Sequence, residues 1–391
     1  MHTFKIKPAY LLSLLILFSF QSLQAQSSST VFRGDLQHSG RFTSTVFSDS
    51  GKFKWKFKTD GMVRCTPAVL ENMVLFGSRD KNFYSVSKSD GSLLWKFPTE
   101  GEVSSSPAIS DGMVYFLSQD NFFYCVDAKT GSLKWKYGTG RDLDQPRGNY
   151  KNGGWDYFLS SPAVENGSVF FGAGDGFFYA LDKNNGSLRW KFKAESIVRS
   201  SPAIKDGIVY FGSHDGNLYA LEESSGRMIW KFKTKGNKYF PKGEVQSSPA
   251  VSDSMIFFGS RDGMLYALDL KNGSEKWTFD HEGSWVITSP AVSNGLVYAG
   301  SSDAQFFNAM DVKTGKEKWR VKTQANVFSS PALAGNMVYF GCWNGVIYGI
   351  NALTGEEKWG VYLEGPVQSS PVIDNGVMYI GCDDGYLYAF Q

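Results

Sequence analysis

Histidine and cysteine are scarce in this chain, at four of each in 391 residues. His38, His214 and His281 lie far apart, and none neighbours a nucleophile motif or a metal-ligand spacing. That leaves no footing for triad hydrolysis or a zinc centre. Cys65, Cys125, Cys342 and Cys382 form no CxxC and no adjacent pair, so neither a disulfide framework nor a zinc site is expected. Cys342 and Cys382 hold the same place in neighbouring repeats, too far apart to bridge, and free, partly buried thiols are the expectation. Excess charge is also missing. Without Lys5 and Lys7 the chain has 38 basic and 38 acidic residues, which gives no general basic field for nucleic acid or an anionic membrane. Long apolar runs are limited to Ala9–Phe20, too short to span a bilayer. With Lys5 and Lys7 before it and Gln21–Ala25 after it, this run reads as a secretory signal over residues 1–25. The expected mature protein is exported, periplasmic or secreted, with no transmembrane segment.

No window keeps a helical period. What is present instead is a repeat of about forty residues, cleanest over Ser200–Thr234. It contains four short runs, Ser200–Ile204, Ile208–Ser213, Asn217–Glu222 and Met228–Phe232, of which the middle ones are rich in Val, Ile, Tyr and Phe. Asp206-Gly207, Asp215-Gly216 and Ser225-Gly226 punctuate them as tight turns. Four antiparallel strands follow from this pattern. A Ser/Thr-Pro pair ends at Pro67, Pro107, Pro162, Pro202, Pro249, Pro290, Pro331 and Pro371, and each repeat has a matching tryptophan, Trp55 to Trp359. Proline to next tryptophan is 28 residues in six cases and 29 in the seventh. After Pro371 the chain stops before a fourth strand, while Ser50–Trp55 supplies an unmatched turn and last strand at the other end. The prediction is one all-β, eight-bladed propeller over residues 31–391, preceded by a short disordered lead at 26–30. Its last blade is closed by strands from both termini, which removes open sheet edges.

The turn-and-tryptophan signature of stretches such as Ala180–Trp190 and Ala309–Trp319 follows A-x-D-x-x-T-G-x-x-x-W. In this the chain resembles the pyrroloquinoline-quinone-like propeller family, as does its opening Phe32-Arg33-Gly34-Asp35 with His38-Ser39-Gly40. The resemblance implies a fold and no particular activity. Within that family, length and blade count resemble the B components of the Bam outer-membrane assembly complex. That likeness implies a non-catalytic scaffold offering its propeller to protein partners. The lipidated cysteine of those proteins has no counterpart, the first cysteine here being Cys65. Quinoprotein dehydrogenases of the family imply instead pyrroloquinoline quinone with calcium, a catalytic Asp, a stacking Trp and an adjacent-cysteine disulfide. Asp383 and either Trp343 or Trp285 could fill two of those roles, but the cysteine pair is missing, so no cofactor is expected. A carbohydrate-binding or carbohydrate-processing propeller is the third reading.

Length variation points to one face. The tryptophan-to-proline connections are 12 residues in five cases and 13 in a sixth, but 27 after Trp135 and 19 after Trp230. Insertions on one side of a rigid scaffold mark a binding side. The insertions, Gly138–Phe158 and Gly236–Glu244, carry Trp155 and Tyr239. Two series of variable positions share that side. The series just before the Ser/Thr-Pro pair includes Arg64, Arg199, Gln246 and Phe328; the series in the second-to-third-strand hairpin includes His214, Arg261, Trp343 and Asp383. Trp155, Arg199, Tyr239, Arg261, Trp285 and Trp343 are therefore the expected contact residues for a protein or glycan partner in the cell envelope. The expected assembly is a monomer.

Overall fold

A computed structural model describes residues 30–43, 51–143 and 159–391. The expected signal peptide, most of the lead and Trp155 lie outside the described residues. Eight antiparallel blades follow one another around a central channel. The fourth, typical of the others, is Ala203–Lys205, Ile208–Gly212, Asn217–Glu222 and Met228–Lys233 from channel to rim. In the eighth blade Phe53–Lys58 pairs antiparallel with Tyr386–Phe390, Phe53 opposite Phe390 and Lys58 opposite Tyr386. The ring is closed by the two ends of the chain, as the repeat pattern predicts. Among the described residues, no helix is long and apolar enough to cross a membrane.

The innermost strand starts at Ala203 and not at Ser200, and the reason is chemical. Pro202 has no N–H to give a sheet. Ser201 instead donates its backbone N–H to Ser248 Oγ in the next blade at 2.9 Å. The same bond runs from Thr66 to Ser106, onward to Ser161, and from Ser248 through Ser289 and Ser330 to Ser370, at 2.9–3.1 Å. The Ser/Thr-Pro pair is thus a hydrogen-bonded girdle around the channel.

Tryptophan joins the blades at the rim. The indole N–H of Trp190 donates to Glu223 O in the turn of the following blade at 2.9 Å. Trp55, Trp95, Trp135, Trp277 and Trp319 make the same bond. Each ring covers a turn glycine of the next blade. A Cβ on Gly226 would stand 2.5 Å from Trp190, and Gly51 closes the series against Trp359. All eight sit on outermost strands, and six of them are half-buried; only Trp55 and Trp277 are buried.

The leading segment has a role that the repeat pattern leaves open. Residues 30–40 cross the lower mouth of the channel, opposite the insertion-bearing face. Their carbonyls accept the inward-facing N–H groups of five innermost strands: Ile109, Ile204, Val251, Val292 and Leu333 bond Thr30, Leu36, Gln37, Ser39 and Gly40. Arg41–Phe42 then continues as a parallel strand beside Ala332–Ala334. Buried backbone donors demand partners, and the plug supplies them. Arg33, in the Arg-Gly-Asp triplet, is buried and donates to the carbonyls of Pro290 and Pro331.

Candidate functional site

The upper face is built from interblade connections and second-to-third-strand hairpins, joined by backbone bonds. The N–H of Arg261 donates to Glu244 O, that of His214 to Ile197 O and that of Asp383 to Pro366 O. Beneath the hairpins an Asp–Tyr clasp recurs. Asp215 accepts from the Tyr219 hydroxyl at 2.8 Å and from the Glu195 N–H at 3.0 Å. These repeated carboxylates hold loops in place; they are structural.

At the centre, residues preceding the Ser/Thr-Pro pairs line a cavity of about 80 Å³ whose floor is Phe32. Its polar walls are largely engaged. Arg64 and Asp383 form a bidentate ion pair at 2.9 and 2.8 Å, and Gln368 donates to the same carboxylate at 2.7 Å. Across the ring Arg199 pairs with Asp142 at 2.8 Å. His214 stands near Arg199 and Arg261. Burial first, then these two cations, hold its imidazole well below the usual range, so it is neutral at pH 7. The four cysteines are free and buried. Burial pushes the Cys65, Cys125 and Cys382 thiols up to about 12, far from nucleophilic reactivity.

Outside this ring, the second insertion folds into an ordered hook. Asn237 Oδ1 accepts from the N–H groups of Tyr239 and Phe240, and Asp262 holds the Gly236 N–H at 3.0 Å. Phe240 turns inward, edge-on to Trp285 with centroids 4.7 Å apart. The Arg261 guanidinium lies 5.2 Å from the centroid of that indole and donates to Gln246 Oε1 at 2.7 Å. Tyr239 is left outward at 79% exposure.

The structure thus brings Arg261 and Trp285 together, with Phe240 edge-on to the indole, while Tyr239 adjoins them only through the chain. Trp343 lies apart on the seventh blade, edge-on to Phe328. Arg199 is a correction: at 5% exposure and paired with Asp142, it is a wall of the cavity and not an exposed contact residue. Phe240, Asp142 and Phe32 also shape the site, and the sequence does not single them out. An insertion reading Tyr-Phe gives no signal for which ring faces inward, and Phe32 is placed by long-range bonds of the plug.

The family model for outer membrane protein assembly factor BamB matches residues 43–149, 142–280, 214–361 and 277–391. The chain belongs to this family. No curated protein matches it in sequence. BamB from Moraxella catarrhalis superposes with a TM-score of 0.71 at 18% identity, covering 86% of this chain and 98% of that one. A europium-containing methanol dehydrogenase gives 0.78 at 12% identity, covering 93% and 98%. The quinohemoprotein alcohol dehydrogenase from Comamonas testosteroni gives 0.77 at 14% identity, covering 93% and 80%. At these identities the likeness is one of fold.

The dehydrogenase neighbours prompt a test of fit for pyrroloquinoline quinone with its metal. The described residues of this BamB-family channel do not suit them. The cavity is about 80 Å³, against roughly 300–1,000 Å³ for small-molecule sites in general. Asp383, the carboxylate a metal would need, is spent on Arg64 and Gln368. Trp285 and Trp343 meet Phe240 and Phe328 edge-on and present no facing pair for a planar ring system.

Proposed function

We propose that this BamB-family protein is an exported, non-catalytic scaffold that docks a protein partner of the cell envelope on its upper face. The observation carrying this reading is the contrast at that face. The channel keeps only a cavity of about 80 Å³ with largely paired walls, while the hook leaves Tyr239 outward next to Phe240, which meets Trp285 edge-on. A large aromatic exposed on a loop whose backbone is fixed by hydrogen bonds suits an interface anchor, because the loop need not be ordered on binding. Trp155, Arg261, Trp285 and Trp343 belong to the same proposed surface. A photocrosslinking residue at position 239 should capture an envelope protein, whereas one at Asn272, on the opposite face, should not. With the photocrosslinking residue placed at 238 instead, Tyr239→Ala should reduce capture about tenfold at unchanged melting temperature, as expected of a contact anchor. Crosslinks confined to Asn272 would refute the face assignment. Binding to a glycan array with no protein capture would move the reading to a carbohydrate ligand.

A further inference from the structure

Overall neutrality hides an uneven rim. Six of the eight outermost strands share one plan: two exposed positions, the half-buried tryptophan, then exposed and half-buried positions in alternation; the strands of Trp55 and Trp277 differ in burying the indole. On five consecutive blades, the eighth and the first four, these strands carry eleven Lys or Arg and no Asp or Glu. On the fifth to seventh, five basic residues face four acidic ones. The first position divides at the same boundary. It is Phe53, Leu93, Leu133, Leu188 and Met228 on the five-blade arc, at 42–53% exposure, and Glu275, Glu317 and Glu357 on the other three blades.

Lysine on an outer strand guards an open sheet edge against pairing with other chains. That accounts for the lysines of every blade. It does not account for the exclusion of acids from five neighbours, or for the exchange of Glu for an exposed apolar residue on the same five. Some cations of the arc are neutralised locally, as Lys134 is by Asp127 and Arg189 by Asp182. Others, such as Lys136 and Lys191, lie 4.4 Å over the Phe122 and Phe177 rings, which leaves a positive field at the surface.

Shape and chemistry narrow the occupant. A flat bilayer or a globular protein meets a convex rim along a narrow sector, whereas the pattern continues over five of eight blades. An extended chain can follow that curve. Nucleic acid would call for aromatic stacking platforms, and four of the five first positions are aliphatic. We propose that the five-blade arc docks an extended acidic segment of a partner protein that carries aliphatic side chains. Its carboxylates meet the lysines, and its aliphatic groups cover Leu133, Leu188 and Met228.

The probe is a fluorescent peptide alternating Glu or Asp with Leu, titrated with the full protein and followed by anisotropy at low and high salt. Lys136→Glu/Lys191→Glu/Lys231→Glu should weaken binding about tenfold or more, and raised salt should do the same. Lys276→Glu/Lys318→Glu/Lys322→Glu, on the other blades, should leave it within about twofold. Replacing Leu133, Leu188 and Met228 by Ser should also weaken it. The single reversals Lys136→Glu and Lys231→Glu serve if a triple variant misfolds. Equal losses in the two charge-reversed sets, or no binding at low salt, would overturn the proposal. So would flotation on phosphatidylglycerol vesicles that the arc reversal abolishes while the peptide stays unbound. The hook borders the fourth-blade end of the arc, where Lys233 donates to Lys242 O, but Tyr239 is neither one of the arc's cations nor one of its first positions, so Tyr239→Ala should leave peptide binding intact.

Discussion

Arg33 lies under the channel floor with its guanidinium between the carbonyls of Pro290 and Pro331. Burial lowers it to about 9, partly offset by Asp35, so it stays cationic at neutral pH. Arg33→Ala should strip two buried carbonyls of a charged donor and cost about 3 kcal/mol, measured by urea unfolding. An unchanged midpoint would mean that the plug does not depend on it. His38 and His281 add a pH dependence. Burial depresses His38 to about 3, aided by Arg33, and His281 to about 4. Both are neutral in the fold and take up protons on unfolding below about 6.5. Their contribution is therefore complete above that pH and is lost as pH falls toward 4. Unfolding free energy should decline over that window, and His281→Phe, which can keep the ring stack on Phe306, should flatten the slope by up to about 1.4 kcal/mol per pH unit. At this scale the Phe32-Arg33-Gly34-Asp35 opening is visible in the sequence, but the partners of Arg33 are not. Those partners lie more than 250 residues away, where no local spacing can point.

Within one element pair, Trp190 and Gly226 show how the blades lock. The indole is half-buried, so Trp190→Ala should cost about 2 kcal/mol, below the 3–5 of a core aromatic. Gly226 has a φ of 71°, and any Cβ there would strike the indole. Gly226→Ala should destabilise by about 1–3 kcal/mol through overpacking and backbone strain. A neutral result by thermal melting would show that the turn and ring can move apart. The four runs of the repeat were legible because hydrophobic alternation and turn residues are local signals. The late start of the innermost strand was less so, since it depends on a serine in the next blade.

For the whole molecule, closure and plugging are separable. Removing Phe53–Lys58 should expose the edge of Tyr386–Phe390 and cause aggregation, seen by light scattering. Removing residues 30–43 leaves the ring closed but five inward N–H groups without their acceptors. That deletion should lower the melting temperature while the protein stays monodisperse. If both behave alike, edge closure is not what keeps the ring apart from its neighbours.

Blade count, ring closure and the side bearing the insertions were all written in the sequence, because each depends on repetition or on loop length. The tertiary structure decided what fills the channel, which ring of the Tyr239-Phe240 pair faces out, and that Arg199 is committed to Asp142. Each of these rests on groups brought together by ring geometry. Arg33 reaches Pro331 across 298 residues, and only closure of eight blades brings the two within hydrogen-bonding distance.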